Sequence, residues 1–184
     1  MKLYHMYSAI NHPEAMVDFE KNANDIFAFF KMNMGDDEKI RKRKLNFIAQ
    51  SGYKLDNIVK TDYLQCTSAL LFSRQFYNKI GEYLKDEMQF FPCSVFCQGV
   101  EFEWYAVKIL RQISAIDIEK SGCYKLSNND VMLDSFKYKR NIVERFYIAR
   151  DNHQITDFVV SELFVSLCNT NNISIEFEEV HYSY

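Results

Sequence analysis

Two periods alternate along this chain of 184 residues, the 3.6-residue spacing of amphipathic helices and the two-residue spacing of strands. Lys2 to Tyr7 predicts a short edge strand, followed by a turn at His12-Pro13. A helix is predicted over 24–34: Asn24 is its N-cap, Asp25 lies in its first turn, and Ile26, Phe27, Phe30 and Met34 form one face before Gly35 ends it. A second is predicted over 36–51. Asp36, Asp37 and Glu38 suit its positive N-terminal end, Arg41 to Lys44 come later and Gly52 offers a stop, although the stripe of Ile40, Phe47 and Ile48 is thin. Asp62 to Thr67 reads as a strand. Ser73 then caps a clearer helix over 73–85, with Phe76, Tyr77, Ile80, Tyr83 and Leu84 on one face.

Long strands follow at about 88–97 and 102–113, joined by a hairpin turn at Gln98-Gly99. Both are apolar on both parities, as in Val95-Phe96 and Tyr105-Ala106-Val107, which places them in the middle of a sheet covered on each face. Ile116 to Glu119 leads into a break at Lys120-Ser121-Gly122, and Val131 to Leu133 and Arg145 to Ala149 are further strands. Thr156 and Asp157 open a helix predicted over 156–168, whose arc of Phe158, Val159, Val160, Leu163, Phe164 and Leu167 is too broad for a surface helix. After a polar turn at Asn169 to Asn172, Ile173, Ile175 and Phe177 alternate with Ser174, Glu176 and Glu178, the pattern of a half-buried strand. The sum is an α+β fold, a central and mostly antiparallel sheet packed by these helices. With no repeat and no Pro-, Gly- or Ser-rich linker, residues 1–184 read as a single domain with a helical part over 1–60 and an α+β core over 62–180.

Composition changes this picture in one respect. Sixteen Phe, 12 Tyr and one Trp against 5 Gly and 2 Pro imply a core of large flat side chains and loops built on Asn, Asp and Ser. The net charge of −3 disfavours nucleic acid as a partner and favours a basic protein. No apolar run approaches 18 residues and no secretory segment follows Met1, so the expectation is a cytoplasmic protein without a membrane span. The five cysteines, Cys66, Cys93, Cys97, Cys123 and Cys168, are odd in number and lie in apolar patterns, which fits reduced core thiols.

Candidate chemistry is sparse. Cys93 and Cys97 stand about 13 Å apart along a strand, too far for one zinc ion, and His5, His12, His153 and His181 supply no second ligand pair. No basic neighbour lowers a thiol pKa, and there is no phosphate loop, nucleophile elbow or zincin helix. No catalytic residue, metal or cofactor is therefore expected, and the chain reads as a non-enzyme. Asp117 and Glu119, and Glu176, Glu178 and Glu179, are acids grouped on strand-like segments. Solvated edge charge is their simplest role.

From Asp62 onward a fixed order of segments stands out: Leu71-Phe72-Ser73 entering a helix, Phe90-Phe91-Pro92-Cys93, Gly99 with Glu103-Trp104-Tyr105-Ala106-Val107, and Ala115-Ile116-Asp117-Ile118-Glu119-Lys120-Ser121. Arg145-Phe146-Tyr147-Ile148 and Ile155-Thr156-Asp157-Phe158-Val159-Val160-Ser161-Glu162 complete it. This order resembles that of a family of bacterial immunity proteins from polymorphic toxin systems, immunity protein family eleven. Residues 1–60 carry no match. The resemblance implies a cytoplasmic antitoxin of interbacterial competition that binds a cognate toxin, encoded by the neighbouring gene, and occludes its active surface. It implies no catalytic residues. Charge alone selects Glu176, Glu178, Glu179, Asp117 and Glu119 as partner-binding candidates, able to complement a basic toxin. The alternatives are a non-enzymatic interaction or scaffold module, homodimeric through an exposed sheet edge, and a hydrolase of unrecognised type.

Overall fold

A computed structural model describes residues 1–9, 17–21, 23–50, 52–125 and 131–183; the turn expected at His12-Pro13 lies outside them. In chain order the elements are β1 (Leu3–Ser8), β2 (Val17–Phe19), α1 (Asn24–Phe30), α2 (Asp37–Arg41), β3 (Asn46–Ala49), α3 (Leu55–Ile58), β4 (Tyr63–Gln65), β5 (Leu70–Ser73) and α4 (Arg74–Leu84). They continue with β6 (Met88–Cys97), β7 (Val100–Ile109), β8 (Gln112–Ile113), β9 (Gly122–Lys125), β10 (Val131–Ser135), β11 (Ile148–Asp151), β12 (Phe158–Ser161), α5 (Glu162–Thr170) and β13 (Ile175–Glu179). The fold is α+β, and its strands form two mixed sheets, with β9 and β10 paired separately.

The long hairpin lies at the centre of the larger sheet, in the order β2-β3-β6-β7-β5-β4. β6 and β7 pair from Met88 with Ile109 to Cys97 with Val100, leaving Gln98 (φ 49°) and Gly99 (φ 81°) as a two-residue loop. Two left-handed residues in succession match the right-handed twist of the strands. Among the described strand pairs of this sheet, β3 and β6 run parallel and the others antiparallel. A bridge between Val17 and Cys66 joins its two ends, and Thr67 Oγ1 donates to Asp18 Oδ1 at 3.1 Å across the same seam. The sheet thus curls around an interior of Phe47, Leu64, Leu71, Phe91, Val95 and Ala106, with Ile26, Phe29 and Phe30 of α1 packed into it.

The second sheet has the order β13-β1-β12-β11-β8. One of its faces meets the larger sheet across Phe72, Val107, Ile148 and Val160, with Phe76 and Ile80 of α4 and Phe164 of α5 between them. Its other face packs under Ile116, Tyr138 and Phe146. Buried ionic groups fasten these layers through backbone. Asp151 accepts from four amides, those of Ala115, Ile116, His153 and Gln154. Arg150 is 1% exposed, and its guanidinium donates to the carbonyls of Phe30, Lys31, Ile109 and Ile155. It therefore closes the C-terminal end of α1, where the helix leaves carbonyls unpaired.

Several expectations change. The run over Lys2 to Tyr7 is β1, an interior strand rather than an edge one, because β12 and β13 pair with it on either side; Tyr4 and Met6 pack between the sheets and Leu3 on the opposite face. The predicted helix over 36–51 is only α2, capped by Asp36 accepting from Glu38 N. Phe47 is fully buried and Ile48 is 42% exposed, so these neighbours point to opposite faces of β3. The predicted helix over 156–168 is β12 followed by α5. Phe158 and Val160 pack between the sheets and Val159 on the far side, so the broad arc was a strand buried on both faces. The helix predicted over 24–34 is α1, which ends at Phe30 and has Ala23 rather than Asn24 at its N-cap position, without a side-chain cap; its buried face is Ile26, Phe29 and Phe30, while Phe27 and, beyond the helix, Met34 are exposed. The strand expected over 102–113 ends at Ile109, and β8 crosses to pair with β11. Residues 1–60 also supply strands to both sheets, besides three short helices.

Candidate interaction surface

The acids selected from sequence lie around β13, the terminal strand of the five-stranded sheet. Glu176 and Glu178 stand opposite Tyr7 and His5, so strand alternation puts them on one face. Glu179 stands opposite Tyr4 on the other face, where its carboxylate pairs with Lys2 Nζ at 2.8 Å. All three are exposed. The expected acidic patch is therefore divided: two glutamates on one side of the strand and an ion-paired one on the other.

Aromatic groups back the two-glutamate side. The His5 ring meets Tyr138 edge-on, with centroids 5.5 Å apart, and Tyr138 Oη donates to Asp157 Oδ2 at 2.7 Å. Burial holds the Tyr138 phenol above its ordinary range. It also raises the Asp157 carboxyl, against the opposing pull of the Tyr138 hydrogen bond and of His5. Burial and then the Glu178 carboxylate raise the Tyr7 phenol in the same way. Asp117 reaches this neighbourhood through backbone, its amide donating to Lys137 O at 2.8 Å beside Tyr138. Among the described residues no side-chain hydrogen bond or ion pair joins Asp117 or Glu119 to the β13 glutamates. Their segment is a turn instead. Ser121 donates from both N and Oγ to Asp117 O, at 2.9 and 2.7 Å, and its Oγ accepts from Lys137 N at 3.0 Å.

Four thiols face inward, and the side chain of Cys123 lies outside what the structure describes. Cys66, Cys93, Cys97 and Cys168 are free and buried, and burial pushes Cys93 and Cys97 up and Cys168 up to about 12. At neutral pH these three stay protonated and weakly nucleophilic. Two open clefts of about 430 and 460 Å³ flank the ion pair between Arg74 of α4 and Glu103 of β7. Pro92, Cys93 and Tyr105 line the first, and Asp62, Ser73 and Glu101 the second. Tyr77, 40% exposed, stacks on Tyr105 with centroids 4.2 Å apart. Asp62 is tied up structurally, accepting from Ser73 Oγ, Gln75 Nε2 and Ser174 N. Neither cleft has a histidine among its described lining residues. Among the described residues, no group of three His, Cys, Asp or Glu side chains is placed to hold a metal ion, and no helix is long and apolar enough to cross a membrane.

No family model matches the chain, and no curated protein matches it. The segments that resemble the immunity proteins supply core positions together with exposed ones such as Glu103, Ile118 and Glu119. Leu71-Phe72-Ser73 is the end of β5 turning into α4, with Ser73 Oγ accepting from Phe76 N at 3.0 Å. Phe91 and Cys93 face the interior of the curled sheet, and Asp117 with Ser121 forms the turn just described. A second exposed surface escaped the sequence reading, the outside of β2, β3, β6 and β7. Its signal was the alternation of Asn46, Phe47 and Ile48, which the helical reading of 36–51 concealed.

Proposed function

We propose that the chain is an immunity protein: it binds a cognate bacterial toxin domain and neutralises it by occluding the active or substrate-binding surface. The observation that carries this reading is the disposition of polar chemistry. The buried thiols, the Asp151 and Asp62 carboxylates and the Arg150 guanidinium serve the interior, while exposed carboxylates and aromatic rings make the outer surface. A body held by three packed cores presents such a surface pre-organised, which lowers the entropic cost of association. The resemblance from Asp62 onward adds the kind of partner, and the net charge of −3 adds its sign.

The scaffold reading differs in predicting self-association. Antiparallel pairing of β13 with its own copy about Phe177 would set Glu176 against Glu178, and like charges directly opposite oppose such pairing. Co-expression with the product of the neighbouring gene tests the proposal. Growth restored by this chain and a one-to-one complex on size exclusion are expected; a non-toxic neighbour, or toxicity undiminished, overturns it.

A further inference from the structure

The outside of the curled sheet carries two cross-strand rows of one composition. Asp18 pairs with Ile48, Ile48 with Phe96, and Phe96 with Glu101. One pleat away, Asn46 pairs with Ser94 and Ser94 with Glu103, and Glu20 N donates to Asn46 O to extend that row. Each row runs from acid through uncharged residues to acid and spans about 14 Å over four strands. Ile48 is 42% exposed and Phe96 half-buried at the centre. Of the four carboxylates only Glu103 is ion-paired among the described residues, to Arg74 of α4, and Lys44 and Lys60 line the neighbouring clefts without an ion pair to the rows.

Neutral donors hold the other three carboxylates. Asp18 accepts from Gln50 Nε2 and Thr67 Oγ1, Glu20 from Asn46 Nδ2 at 2.9 Å, and Glu101 from Ser94 Oγ. Among the described residues none of these three has a cationic partner. Elsewhere some exposed acids pair with cations, as Glu179 does with Lys2, Glu144 with Arg111 and Asp25 with Arg43, while Glu176 and Glu178 on β13 do not among the described residues. Fixed, uncompensated carboxylates around an exposed apolar centre demand cations flanking an apolar group on whatever covers them. A second copy of this face would set acid against acid, and a nucleic-acid backbone would meet like charge.

We infer that the outer face of β2, β3, β6 and β7 is the docking surface for a basic protein segment in which lysine or arginine side chains flank an apolar residue. The inference deepens the toxin-binding reading, naming the surface and the chemistry of its partner. Two measurements separate their fates. In the first, the labelled full chain is titrated at 0.15 M salt with a synthetic peptide of alternating lysine and leucine, and with its glutamate counterpart, while backbone amide shifts are followed. Saturable shifts at residues 18–20, 46–48, 94–96 and 101–103 are expected from the lysine peptide alone. The double variant Ile48→Lys, Glu101→Lys, both exposed positions, weakens binding by roughly tenfold or more. Glu176→Lys, Glu178→Lys leaves it unchanged. Shifts centred on β13, no saturable shift, equal binding of the glutamate peptide, or indifference to the first variant overturns the inference. So does a wild-type dimer in sedimentation that the first variant dissociates.

In the second measurement both variants replace the wild type in the toxin co-expression. Loss of protection by Ile48→Lys, Glu101→Lys alone is expected. Protection by wild type and by that variant alike defeats the surface and spares the function; peptide binding at the rows without protection by wild type does the reverse.

Discussion

Lys31 shows most directly what burial does to a single charge. Its Nζ lies 5.9 Å from the centre of the Phe158 ring, and burial first, then the neighbouring Arg150 guanidinium, push its pKa down from 10.5 to about 8. Below pH 8 the folded and unfolded chains both hold the proton, and the full cost of burying the cation is present. Between about 8 and 10.5 the folded chain has released it and the unfolded chain has not, so stability rises with pH across that window. Lys31→Met removes the cost and the rise together. The variant should exceed wild type by roughly 1–2 kcal/mol at pH 7, partial solvent contact discounting the full shift, and the gap should close by pH 10.5. Urea titrations at pH 7, 9 and 10.5 measure it, and a difference that does not change with pH refutes this account. Neither Lys31 nor Arg150 was legible in sequence. A lysine after an apolar face and an arginine at a strand end look like ordinary solvated charges, and only the packing of α1 against the second sheet takes them from water.

At the scale of elements, sequence patterns were readable where one period persisted and unreadable where two abutted. The hairpin of β6 and β7 was readable from its apolar strands and its turn at Gln98-Gly99, although the half near the turn, with Glu101 and Glu103 exposed, is covered on one face and not on both as expected. α4 kept its cap at Ser73 and its face at Phe76, Ile80 and Leu84. Over 156–168 a strand runs into a helix without punctuation, and a helical period absorbs both. The two readings place the cap differently. In the observed arrangement Ser161 Oγ accepts from Leu163 N at 3.2 Å and donates to Phe146 O, while Thr156 lies before β12. Ser161→Ala should therefore cost about 1–2 kcal/mol, with a buried carbonyl losing its donor, and Thr156→Ala under about 0.5 kcal/mol. Chemical denaturation of the two variants decides the matter; the opposite ranking would restore the longer helix. The candidate site failed to emerge for the same reason, since reading 36–51 as one helix hid β3 and the row through Ile48.

For the whole molecule the question is whether residues 62–180, the stretch with the family resemblance, can stand without what precedes it. Connectivity says they cannot. β1 lies between β13 and β12, so deleting it separates the terminal strand from its sheet and uncovers Met6 and Leu3 positions in two different cores. β2 and β3 close the curled sheet onto β6 and supply Val17, Phe19 and Phe47 to its interior, and Ile26, Phe29 and Phe30 of α1 fill the same core. Six large apolar side chains lost from one core, each contributing roughly 1.5–3 kcal/mol on burial, sum to about 9–18 kcal/mol, as much as the usual 5–15 kcal/mol stability of a whole domain. Arg150 would also lose the Phe30 and Lys31 carbonyls, keeping only those of Ile109 and Ile155. A fragment beginning at Thr61 should accordingly lack dispersed amide resonances and a cooperative thermal transition. Adding residues 1–60 as a separate chain should restore both if the strands can dock. A fragment that melts cooperatively by itself would show that the resemblance marks an autonomous core and that the first sixty residues are an accessory, reversing the assignment of β1 to β3 as structural strands.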